Sequence, residues 1–209
     1  MNLENSIKNY LEQIESSSPT PGGGNVSAFT AAMACSLGIM VCNLTAGKKK
    51  YADVEGEILE LKNILTEQRE EFLLLAQKDN EAFNEVMNAI KLPKSTDKEI
   101  SFRKSEIDRA TVGAAMIPAK VIVLIRSALS VLEKIARKGN QNSVSDAGVA
   151  ISLLNSAAQG AFLNVLINYT SMNDKSILTD TFNSSENLLK EINSICSNNL
   201  NSITNNLKK

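Results

Sequence analysis

The chain has 209 residues, with 22 basic and 23 acidic side chains and a formal net charge of -1, a length that suits one domain at roughly 100–200 residues per domain. The interspersed charges give no electrostatic footprint for nucleic acid or an anionic membrane surface. Histidine is absent altogether, which excludes the usual serine and cysteine triads and any histidine-bound metal, and leaves proton transfer to carboxylates, lysine, tyrosine or thiols.

Residues 3–15 place Leu3, Ile7, Leu11 and Ile14 among polar neighbours, the pattern of a short surface helix with one apolar stripe. The segment is amphipathic and carries acidic residues, so it is read as neither a secretory signal nor a transit peptide. The polar turn SSSPTPGGGN follows, with Pro19, Pro21, Gly22, Gly23 and Gly24. It leads into residues 26–46, an uncharged run built on Ala28, Ala31, Ala32, Ala34, Cys35, Ser36 and Gly38. That run approaches the ~20 apolar residues of a membrane span, but its Ser, Thr, Asn and Ala content favours a helix surrounded by other helices. Asn25 or Ser27 is expected to cap its start, and Gly47 suits the left-handed position after its end.

Residues 53–91 carry a second helical stripe from Ile58 to Ile90, interrupted by two polar residues, Gln68 and Asp79. The three-and-four spacing puts Asp79 between Leu75 and Phe83 on the inward face. After the loop LPKSTD, residues 99–138 are again helical. Pro118 lies in their middle, where it frees the carbonyl of Ala114 and predicts a kink or a break. The turn GNQNS precedes a second small-residue stretch, SDAGVAISLLNSAAQGAFLNVLINY, which carries one charge, Asp146, and the amides Asn155, Gln159, Asn164 and Asn168. An asparagine-rich amphipathic helix over 174–207 ends the chain. No β pattern appears, so the expected fold is all-α: a single-domain multi-helix bundle over 1–209, with long antiparallel helices around a buried small-residue central helix.

Four features could carry chemistry, each with a plainer alternative. Gly22–Gly24 and Asn25, ahead of a helix, could present backbone N–H groups to an anion, or could simply form a tight turn. Lys48, Lys49, Lys50 and Tyr51 could receive a polyanionic ligand tail, or complement the negative end of a helix dipole in solvent. Asp146 stands three residues after Ser143 in capping-box form and follows the amide turn 140–142. A carboxylate in so apolar a stretch is equally a candidate for proton exchange near neutral pH. Asp79 has the same standing, with a salt bridge to a neighbouring helix as its alternative. The three cysteines, Cys35, Cys42 and Cys196, form no CxxC pair and read as reduced packing thiols of a cytoplasmic protein.

Taken together, PTPGGGNVSAFTAAMACSLGIMVCNLTAGKKKY, the Asp79-to-Phe83 helix leading to Pro93-Lys94, Ala115 to Pro118 and GNQNSVSDAGVAISLLNSAAQGAFLNVLIN resemble the cyclodeaminase/cyclohydrolase family. That family includes the cyclodeaminase domain of formiminotransferase-cyclodeaminase and the stand-alone methenyltetrahydrofolate cyclohydrolases. The similarity is strong over 18–51 and 139–168, moderate over 79–94 and weak beyond about residue 172.

The resemblance implies a helical homodimer that binds a folate and needs no metal and no cofactor beyond the tetrahydrofolate substrate. One branch hydrolyses 5,10-methenyltetrahydrofolate to 10-formyltetrahydrofolate. The other closes 5-formiminotetrahydrofolate to the methenyl compound with loss of ammonia. For a stand-alone chain the hydrolase is preferred, the deaminase is the alternative, and a non-catalytic helical dimer module stays open. Under the resemblance Asp146 is the main acid/base and Asp79 the second carboxylate. Asn142 and Ser143 hold the pterin or the transferred carbon, Gly22–Gly24 and Asn25 approach the folate, and Lys48–Lys50 with Tyr51 receive the glutamate tail. Asn25 stands where a serine is more usual, and Cys35 and Cys42 where alanines are. No transferase domain is expected on this chain, so formimino transfer would come from another polypeptide.

Overall fold

The structure, a computed structural model, describes residues 7–209. Leu3, the first residue of the expected N-terminal stripe, lies outside them. The described residues contain no strand. Six helices follow in order: α1 (Ile7–Ile14), α2 (Gly23–Thr45), α3 (Glu55–Ile90), α4 (Asp97–Lys138), α5 (Val144–Ser171) and α6 (Thr179–Leu207). Short 3-10 turns at Lys49–Val54, Gln141–Ser143 and Lys175–Leu178 join them.

Short connections force neighbouring helices antiparallel. Helix α2 packs on α3 and α5, α4 closes the ring opposite α2, and α6 lies against α5 and α4. The main core is one cluster running from Ala28 to Ile203, with Leu65, Phe72, Ile122, Leu129, Ile151 and Leu154 among its fully buried side chains, and a small second cluster gathers Ala115, Met172 and Leu178. Small residues set the spacing of α2 from its neighbours. Ala28, Ala31, Cys35 and Cys42 are 0 % exposed, and Gly38 is pressed by Leu65 and Leu132, which leave no room for a Cβ. Because helix separation follows side-chain size at the contact, these residues bring the backbones close. The three thiols are free and buried. Burial pushes Cys35 and Cys196 up to about 12 and Cys42 up to about 11, so they act as small packing groups.

Three sequence expectations change. Helix α1 does not pack through its apolar stripe: Ile7 and Leu11 are 74 % and 57 % exposed, and its one buried residue is Tyr10. Pro118 does not divide α4, which runs continuously from Asp97 to Lys138. That helix is anchored at its start by a capping box, in which Thr96 Oγ1 accepts from the Glu99 N–H at 3.3 Å and Glu99 Oε2 accepts from the Thr96 N–H at 3.0 Å. Neither Asn25 nor Ser27 caps α2, which begins at Gly23 after Gly22 without a side-chain cap. Ser27 Oγ donates back to the Gly23 carbonyl at 2.7 Å. At the other end Gly47 does adopt the left-handed conformation, with φ of 75°.

One side of α2 stays open. Met33, Met40 and Leu44 are 42 %, 36 % and 41 % exposed, and with half-buried Val26, Thr30 and Leu37 they recur at alternating steps of four and three. That is the spacing of a helix–helix seam. Stretches of α2, α4 and α5 have mean hydropathies of 1.6, 1.8 and 1.4 and are long and apolar enough to cross a membrane. In the bundle 56 %, 50 % and 39 % of those stretches are buried.

Candidate active site

At the N-terminal end of α2 the chain passes through a cis Thr20–Pro21 bond and enters the helix at Gly22–Gly24. The first turn of any α-helix leaves N–H groups without intrahelical partners and carries a partial positive charge. Across this turn lies Asp79 of α3. A Cβ on Gly24 would stand 2.6 Å from Asp79 Cγ and 2.7 Å from Oδ2, so only glycine admits the carboxylate here. Burial raises the Asp79 pKa above its ordinary value, and the Asn25 backbone N–H partly opposes this by favouring the ionised form. No ion pair among the described residues includes Asp79, so the salt-bridge alternative is not realised.

Asp79 opens into a pocket of about 270 Å³. Pro19 and Thr20 form its rim beside the glycines, Phe83 and Val86 continue the α3 wall, and Asn164, Ile167 and Asn168 of α5 close the far side. Ala114 of α4 also lines it. Pro118 has no N–H to give the Ala114 carbonyl, so the proline that leaves α4 unbroken frees an acceptor next to the pocket. Of these lining residues only Asp79 is titratable. The arrangement is a carboxylate in an apolar cavity beside a helix N-terminus, suited to taking a proton from one group and returning it to another. A larger groove of about 500 Å³ between α3, α4 and α6 has mostly apolar walls and contains none of the expected site residues.

The remaining expected site residues gather at the opposite end of α2. Lys48, Lys49 and Lys50 are exposed beside Gly47, and Lys50 Nζ lies 5.5 Å from the centre of the Tyr51 ring. The Tyr51 hydroxyl accepts from the Gln141 N–H at 3.1 Å. Asn140 organises this end. Its N–H donates to Thr45 Oγ1 at 2.9 Å, its Nδ2 donates to the Leu44 carbonyl at 3.0 Å, and its Oδ1 accepts from the Asn142 N–H at 3.1 Å. Asp146 lies half-buried in the first turn of α5. No capping box forms there, because Ser143 Oγ donates at 3.0 Å to the Asn140 carbonyl instead.

Within the chain, then, Asp79 and Asp146 do not share a site. They flank opposite ends of α2, whose 23 residues span roughly 34 Å at 1.5 Å per residue. Two predicted ligand contacts are also redirected. The Asn25 side chain is 0 % exposed, accepts from Tyr10 Oη at 2.6 Å and donates to the Ala76 carbonyl at 2.6 Å, so it ties helices together and only its backbone N–H reaches Asp79. Ser143 is 3 % exposed with its hydroxyl committed to Asn140. Sequence reasoning did not assign Thr20, Phe83, Asn164 or Asn168 to the site. The signal for the two asparagines was present as an i, i+4 amide pair in an otherwise apolar helix, with Asn164 Nδ2 only 3.3 Å from where a Gly23 Cβ would stand.

Fold and pocket define an all-helical protein with a half-buried carboxylate poised at a glycine-rich helix N-terminus. The family model for formiminotransferase-cyclodeaminase matches residues 6–187; the chain belongs to that family. It is 37 % identical over 185 residues to methenyltetrahydrofolate cyclohydrolase of Methylorubrum extorquens, covering 88 % of this chain and 89 % of that one. It is 30 % identical to formimidoyltransferase-cyclodeaminase of Gallus gallus over 87 % of this chain, which spans 34 % of that longer protein. The crystal structure of formiminotetrahydrofolate cyclodeaminase from Thermotoga maritima superposes with a TM-score of 0.86 at 32 % identity, covering 99 % of this chain and 98 % of that one.

Proposed function

We propose that this chain hydrolyses 5,10-methenyltetrahydrofolate to 10-formyltetrahydrofolate, with Asp79 as the proton-transferring group. The observation that carries the reading is the Asp79 carboxylate, half-buried against the α2 N-terminus in an otherwise uncharged pocket. Near-full-length similarity to a protein named for this reaction supports it. The substrate carbon between N5 and N10 is a cationic amidinium, which an anionic side chain stabilises and toward which it can direct water. Asp79 takes a proton from the water as its oxygen bonds to that carbon. The tetrahedral centre collapses to a formyl group, the C–N5 bond breaks, N5 receives a proton and one proton leaves to solvent. The sum is substrate plus water giving product plus a proton, so no further cofactor is required by the balance.

The cyclodeaminase reading is the alternative, favoured by the similarity to the Thermotoga maritima protein. There Asp79 would take the N10 proton during ring closure and return one to the departing ammonia. Adding purified protein separately to each folate and following methenyl absorbance decides the matter. A fall with the methenyl compound supports the hydrolase and a rise from the 5-formimino compound the deaminase. A folded protein that changes neither overturns both.

The pocket suits only part of a folate, since ligand sites commonly occupy about 300–1,000 Å³, and no cation lines it. A homodimer supplies what is missing. If the open α2 stripe pairs with the same stripe of a second copy about a two-fold axis perpendicular to α2, the two helices run antiparallel. Each Asp79 pocket then faces the partner's lysine and Asp146 end, the lysines meeting the glutamate tail and Asp146 joining as the second carboxylate. The three buried free thiols fit a reducing cytoplasm.

A further inference from the structure

The only buried side chain of α1 is Tyr10, 4 % exposed, and its placement leads to Asp79. Its ring packs on Phe29 with centroids 4.8 Å apart. Its hydroxyl donates at 2.6 Å to Asn25 Oδ1, and Asn25 Nδ2 donates at 2.6 Å to the carbonyl of Ala76, one turn before Asp79 on α3. The Asn25 backbone N–H acts on Asp79 itself. One fully buried amide therefore joins three helices, and the same residue supplies the N–H that favours the charged carboxylate. We propose that Tyr10 is a positioning residue, which through Asn25 holds the first turn of α2 and the Asp79 turn of α3 in the register that presents the carboxylate to the pocket. This rests on the reading of Asp79 as the proton-transferring group.

The chemistry of each link supports the assignment. Burial pushes the Tyr10 hydroxyl up to about 12, so it remains a donor throughout the working range. The Asn25 side chain has no water to replace either partner at 0 % exposure, and an orphaned buried carbonyl oxygen drives local rearrangement. Pocket residues from α2, α4 and α5 add no titratable group opposite Asp79, and α3 contributes only Phe83 and Val86 beside it. The carboxylate's proton affinity therefore follows the Asn25 N–H and its desolvation.

Tyr10→Phe keeps the ring on Phe29 and removes only the hydroxyl, from a short surface helix whose loss does not touch the main core. Expected is a fall in kcat of roughly tenfold to a hundredfold, the scale of a displacement of up to ~1 Å. KM should change less, and the acid limb of the pH–rate profile should move to higher pH as the Asn25 N–H loosens. Phe29→Leu loosens the ring packing but leaves the hydroxyl, and should keep both rate and profile. Carboxyl-carbon NMR of Asp79 reads the same link without turnover: its titration should move in Tyr10→Phe and stay in Phe29→Leu. A folded Tyr10→Phe with unmoved titration and rate overturns the proposal, as does an equal shift in Phe29→Leu. A moved titration in a protein inert toward both folates upholds the positioning while removing the folate reading.

Discussion

Gly24→Ala is the sharpest single test of the Asp79 pocket. The added methyl carbon would stand 2.6 Å from Asp79 Cγ and 2.7 Å from Oδ2, where carbon contacts prefer about 3.5–4.0 Å. Either the carboxylate retreats by ~1 Å or α2 and α3 part. Overpacking of this kind costs about 1–3 kcal/mol, and the better helix propensity of alanine returns up to ~1 kcal/mol. The fold should therefore survive with a modestly lower Tm. Turnover should not, because misplacing a reacting group by ~1 Å costs on the order of 100-fold. The assay is methenyl absorbance at saturating substrate, paired with thermal unfolding. Gly56→Ala serves as control, since nothing lies within 4 Å of its added carbon, and it should keep the rate. A folded Gly24→Ala protein working at the wild-type rate would refute the placement of the chemistry at Asp79.

Three further outcomes are expected. Asp79→Asn and Asp146→Asn proteins, each inactive alone, should recover about a quarter of wild-type activity when unfolded and refolded together, because half the two-fold dimers are mixed and each mixed dimer holds one intact site of two; no recovery would show that the carboxylates do not meet across a dimer. Asp79→Asn should raise Tm at neutral pH. The native pKa of Asp79 lies above the unfolded value of 3.8, so the native state binds the proton more tightly and stability falls as pH rises from there through the native pKa. The gain in Asp79→Asn should therefore vanish toward pH 4, and a gain independent of pH would contradict burial as the cause. Neutralising Lys48, Lys49 and Lys50 together should raise KM for polyglutamylated substrate while leaving kcat, and should flatten the salt dependence of KM that screening imposes on the wild type.

Much was legible along the chain because it is local. Helical periodicity depends on neighbours three and four residues away, so all-α architecture, the long α3 and the small-residue α2 and α5 could be read directly. So could Gly47, whose left-handed φ follows from its place after a helix. The inward placement of Asp79 came from the same periodicity. Pro118 did not bring the break that its missing hydrogen bond allows, a cost that packing along both halves of α4 overcomes.

What periodicity cannot carry is distance between helices. Chain order put the glycine turn and the lysines at the two ends of α2, but did not say which of Asp79 and Asp146 would lie at each end. Nor did any local signal tell that Asn25, next to the glycines, would spend its side chain on Tyr10 and Ala76; the amide pair Asn164 and Asn168 stood out along α5, but only its packing against α2 showed which pocket it closes. The sequence by itself determined the helices, the close packing of α2 and the carboxylates available for proton transfer. Only the tertiary structure decided which carboxylate sits beside the glycine turn, because that contact joins residues 55 positions apart through the spacing of two packed helices.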